Sequence, residues 1–126
     1  MQKPETAVSI DEFISARSLG MTADELRGLR RFVPALVEKK KNATVQGHDD
    51  LARGIAVLGA VLASSAVTNA ADPLPRHLAE AGAALSYVLK GIDIIPDSVP
   101  GLGLADDAWI VARVLQRNPE LAEGGV

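Results

Sequence analysis

Residues 87–107, YVLKGIDIIPDSVPGLGLADD, decide the fold. An apolar helical pattern runs into this stretch and another leaves it, with Pro96, Pro100, Gly101 and Gly103 between them. The two prolines push Ile95 and Val99 toward extended conformations, and the glycines admit backbone angles that other residues avoid. The pattern predicts two helices joined by a stiff Asp/Pro/Gly elbow of one shape. Ile92 to Ile95 is the only β-branched cluster, too short and too close to proline to read as a strand.

On the N-terminal side of the elbow, Leu74, Leu78, Ala81, Leu85, Val88 and Leu89 fall on one helical face. Asp72-Pro73 reads as a cap followed by proline at the first helical position, and Gly91 as the stop. On the other side, a helix is expected to begin around Leu104 to Asp106 and to turn Ala108, Val111, Val114 and Leu115 inward. It would end with Arg113 and Arg117 ahead of Asn118-Pro119, leaving 118–126 as a frayed tail.

Further back, Gly54 to Ala71 carries no charge. Ser64, Ser65, Thr68 and Asn69 dilute its aliphatic residues, so the stretch predicts one buried central helix in preference to a bilayer span. Ser9 with Glu12 and Thr22 with Glu25 both fit the capping-box pattern and mark two helix starts. The first helix would bury Ile10, Phe13 and Ile14 and stop near Gly20. The second would bury Leu26, Leu29, Val33 and Leu36, be kinked or split at Pro34, and close at Lys39 to Lys41 with Asn42. A polar connector, 42–47, follows.

Composition agrees with a helical reading. The chain has 126 residues, 48% of them hydrophobic and only 3% aromatic, so alanine and aliphatic residues must fill the core and let helices approach closely. The expected architecture is all-α: a single-domain bundle of about five helices over 1–126, with a C-terminal hairpin at 87–115. A net charge of -3 gives no general attraction to nucleic acid. Without cysteine there is neither a disulfide nor a thiolate ligand. The segment MQKPETAVSIDEF lacks a secretory apolar run, and a cytoplasmic setting is expected.

Asp93, Asp97, Asp106 and Asp107 are the candidate site. Their plain role is to accept backbone amides at the elbow and at the start of the last helix. The sharper role is to converge on a divalent cation such as Mg²⁺ or Ca²⁺, which takes several carboxylate oxygens. The spacing does not match an EF-hand, and no cofactor is otherwise expected. No catalytic set is complete. His48-Asp49 has only His77 to complement it, and His77 reads as a surface residue beside Arg76 and Glu80. Ser64 and Ser65 lack an activating turn, and Gly101-Leu102-Gly103 is too short to cradle phosphate. Arg27, Arg30, Arg31 and Lys39 to Lys41 form a basic stretch that reads as a solvated face, with phosphate or lipid headgroups as its sharper partner.

Ile92-Asp93-Ile94-Ile95-Pro96-Asp97, Val99-Pro100-Gly101 and Asp106-Asp107 together resemble the signature of the YkvA-like family of short bacterial helical domains of unknown function. The resemblance covers Tyr87 to about Leu115. It implies a helical hairpin in an intracellular or membrane-proximal bacterial setting, and no substrate. The expected function is a non-catalytic interaction module whose elbow and flanking surface dock another protein or a second copy of the chain. Peripheral membrane association is one alternative. A divalent-metal-binding protein, or a metal-dependent enzyme acting on a phosphorylated small molecule, is the other.

Overall fold

The computed structural model describes the backbone of residues 3–94 and 102–123 and the side chains of residues 10–89 and 107–122. Among them there is no strand, and five helices of thirteen residues or more make the bundle. In chain order the elements are α1 (Lys3–Leu19), α2 (Ala23–Gly28), a 3-10 turn (Leu29–Phe32), α3 (Val33–Val45), α4 (Asp49–Leu62), the single turn α5 (Ser65–Thr68), α6 (Arg76–Ile94), α7 (Leu102–Arg117) and a last 3-10 turn (Pro119–Glu123). The all-α expectation holds. α6 packs on α1 and α7, and α4 packs on α3 and α7. Ile14, Leu26, Leu51, Leu58, Leu62, Leu85, Val88, Val111 and Val114 fill the space between them. Phe13 and Tyr87 meet edge to face at 5.3 Å, tying α1 to α6.

Local signals account for several of these boundaries. Thr22 Oγ1 accepts the Glu25 amide at 3.0 Å, half of the expected capping box. Pro34 sits in the first turn of α3, where its missing N–H costs nothing, and the 3-10 turn separates α3 from α2. α3 runs three residues past the expected stop at Asn42, to Val45. Its end is a Schellman motif: His48 N–H bonds Ala43 O at 2.7 Å, and Gly47 N–H bonds Thr44 O at 3.1 Å. Gly47 has φ +83°, the left-handed conformation that this cap requires.

Other boundaries differ from expectation. The first helix begins at Lys3, so Ser9 lies inside it; Pro4 is tolerated that close to a helix start. Asp72 does not cap the helix that follows it. Its Oδ1 accepts the Ala23 amide at 2.8 Å, satisfying the first turn of α2 across 49 residues, while α6 begins only at Arg76, over the Pro75 carbonyl. Gly91 does not stop α6, which continues to Ile94, and α7 begins at Leu102, taking in Gly103.

The uncharged stretch at 54–71 is not one helix. α4 ends at Leu62, and Ser64 turns its hydroxyl back to Val61 O at 2.6 Å. Among the described residues no helix is long and apolar enough to cross a membrane. In the segment expected to fray, Asn118 is nearly fully buried and is followed by a 3-10 turn in which Leu121 is buried completely.

Gly54 sets how closely α4 approaches α7. A Cβ at this position would collide with Cγ1 of Val111, a buried β-branched side chain with one favoured helical rotamer. A Cβ at Gly82 would meet the Sδ of Met21 at 2.9 Å, at the flexible end of its side chain. Gly54→Ala is therefore expected to cost about 1–3 kcal/mol of overpacking, more than the roughly 1 kcal/mol gained in helix propensity. Gly82→Ala should cost distinctly less. Urea unfolding midpoints of the two variants check this order.

Candidate functional site

Of the four aspartates singled out by sequence, Asp107 is the one whose side chain is described. Asp97 lies outside the described residues, as does the elbow at 95–101. Asp93 falls on α6 and Asp106 on α7, with side chains outside the described set. The observed start of α7 makes Asp107 its sixth residue, beyond the unpaired amides of the first turn.

Asp107 is fully buried, and its Oδ2 lies 2.8 Å from the Nζ of Lys39 on α3. Lys39 is itself only 9% exposed. Its expected role at the end of α3 does not hold, because Leu36, Lys39 and Ala43 share the helical face turned to the core. The pair joins α3 to α7, and a charge buried on one helix is compatible with folding because the opposite charge arrives from the other. Among the described residues, no group of three or more His, Asp or Glu is placed to hold a metal ion.

A second buried carboxylate was not singled out by sequence. Glu80 on α6 is 3% exposed. Arg117 donates to both of its oxygens, at 3.0 and 2.8 Å, Asn118 Nδ2 donates at 2.8 Å and Arg76 Nε at 3.2 Å. Burial pushes the Glu80 pKa up, yet the bonds from Arg117 and Asn118 and the charges of Arg117 and Arg76 outweigh it, so the carboxyl titrates below its ordinary value. Near it, Arg113 grips Asp11 through two bonds of 2.7 and 3.1 Å, which lowers the Asp11 pKa and raises that of Arg113. These groups fasten α1, α6 and α7 together. His77, half-buried, lies 3.9 Å from Glu120.

Half of the basic stretch is turned inward. Arg27 donates to the carbonyls of Val67 and Ala70 at 3.2 and 2.9 Å. Arg30 donates to the carbonyls of Leu62 and Ser64 at 2.7 and 3.1 Å and to the Thr68 hydroxyl at 2.7 Å. Both guanidiniums satisfy the carbonyl ends of α4 and α5, where cations are favoured. With Lys39 buried, Arg31, Lys40 and Lys41 remain exposed.

The described surface carries depressions at three places of interest. Ser18, Leu19, Gly20, Asp72, Pro73 and Arg76 border one, between the α1–α2 turn and the segment before α6. His48, Asp49, Asp50, Arg53 and Ala108 border another, at the start of α4. The third lies between α1 and α7 and is lined by Ile10, Trp109, Ala112, Arg113 and Gln116. Trp109, the sole tryptophan, is 40% exposed there. The sequence held a signal for this surface: Trp109, Ala112, Arg113 and Gln116 share one helical face, out of phase with the buried Val111 and Val114.

The chain is thus a small all-α bundle whose charged core residues fasten its helices, with a tryptophan exposed on the last long helix. Residues 77–112, under a third of the chain, match a family model described as "Protein of unknown function (DUF1232)". The match takes in Glu80, Asp107 and Trp109. No curated protein and no solved structure matches the chain.

Proposed function

We propose that the protein is a non-catalytic helical interaction module that docks another protein, its own second copy being the first to test, on the outer face of α7. The observation that carries this reading is Trp109, exposed beside Ile10 and Ala112 at the rim of a depression, with Arg113 and Gln116 alongside. Tryptophan and arginine are the residues that most often dominate binding energy at protein interfaces. The matched segment 77–112 overlaps the stretch 87–115 that carries the YkvA-like resemblance, which supports reading the hairpin as YkvA-like.

Sedimentation equilibrium and intact-protein crosslinking test the reading. Trp109→Ser is expected to weaken association by at least about tenfold. The emission of Trp109, the sole tryptophan, should shift to the blue as association proceeds in the unaltered protein. Association that is unchanged by the substitution, or an emission maximum that stays constant while complexes form, would remove the proposal.

A further inference from the structure

We propose that the outer flank of the 3-10 turn and α3, residues 31–45, rests on an anionic lipid surface, independently of the α7 face. Phe32, Val33 and Val37 are 40%, 37% and 50% exposed, three of the six large apolar side chains that the described residues leave in solvent. Val33 and Val37 are four apart on α3, and Lys40, Lys41 and Thr44 continue the same flank toward the C-terminal end of the helix. The opposite face holds Leu36, Lys39 and Ala43 in the core.

The charges choose the partner. Arg27, Arg30 and Lys39 are bonded within the fold, whereas Arg31 and Lys40 form no ion pair with any described residue. The Arg31 guanidinium lies 5.1 Å from the centre of the Phe32 ring, which places a cation directly beside the apolar patch. Lys41 shares its charge with Glu38 only loosely, at 3.8 Å. An apolar wedge bordered by long cationic side chains is the arrangement by which a helix lies in a headgroup layer, the stems packing on apolar surface while the charges meet phosphates.

Vesicle co-sedimentation at low salt tests this, with phosphatidylcholine alone and with phosphatidylcholine carrying phosphatidylserine. The protein is expected to bind only the anionic vesicles and to be released as salt rises. Lys40→Glu with Lys41→Glu should lower the partition coefficient by about thirtyfold or more. Phe32→Ser with Val37→Ser should lower it several-fold with unchanged salt dependence, and Glu38→Gln should raise it. Trp109→Ser should leave vesicle binding intact while weakening association on the α7 face, which separates this flank from that face. No binding to anionic vesicles, equal binding to neutral ones, or binding indifferent to the lysine and apolar variants would overturn the proposal. So would capture of an acidic polyglutamate peptide on this flank without vesicle binding.

Discussion

Replacing Lys39 with methionine is expected to lower the unfolding free energy by about 3–5 kcal/mol, a large part of what a domain this size possesses. The stem of the side chain would still pack. The loss arises because Asp107, fully buried on α7, would lose the ammonium now 2.8 Å away. Asp107→Leu is expected to destabilise by a comparable amount, by leaving Lys39 with a buried charge. The double variant Lys39→Met/Asp107→Leu should recover most of either loss, since an apolar pair of similar volume often matches or exceeds a buried ion pair. Urea unfolding of the three variants yields the coupling energy directly. Additive losses would mean that the two charges do not depend on each other.

Glu80→Gln is expected to cost about 2–4 kcal/mol near neutral pH. The site is built around a carboxylate that accepts from Arg117 at two oxygens, from Asn118 and from Arg76, and an amide can accept at one oxygen only. The pH dependence carries a definite sign. Because the folded-state pKa of Glu80 lies below its ordinary value of 4.5, protons bind the unfolded chain first as the solution is acidified. The stability from Glu80 is therefore fully present above about pH 5 and is lost as pH falls through the folded pKa. Asp11, held down by its bonds to Arg113, acts in the same direction from its ordinary value of 3.8. Thermal melts between pH 3 and 7 should show the midpoint falling on the acid side, and Glu80→Gln should flatten that fall. An unaltered acid limb in the variant would show that Glu80 is not among the groups responsible.

Features that rest on near neighbours were legible in the sequence. The Thr22 cap, the break at Pro34 and the inward faces of α6 and α7 depend on residues within one or two turns. Features that depend on distant partners were not. Asp72 looked like a cap for the helix after it, because its true acceptor role lies on α2, in a part of the chain it meets only once folded. The uncharged stretch from Gly54 to Ala71 looked continuous, yet Ser64 and the guanidiniums of Arg27 and Arg30 close α4 and α5 separately. Lys39 was read by its charge as a helix-end residue, whereas its phase with Leu36 and Ala43 places it in the core. Trp109 was visible as the sole tryptophan, and its position out of phase with Val111 and Val114 was the signal for an exposed face.

The division of labour on α7 is the central claim: Asp107 fastens the bundle from inside, and Trp109 two residues later serves contact from outside. Self-association by sedimentation equilibrium, compared between Trp109→Ser and the charge-free pair Lys39→Met/Asp107→Leu, tests it most directly. Trp109→Ser is expected to fold normally and to associate at least about tenfold more weakly, while the charge-free pair still associates with close to the original affinity. If the charge-free pair folds but loses association while Trp109→Ser keeps it, the roles assigned to the two faces of α7 are wrong.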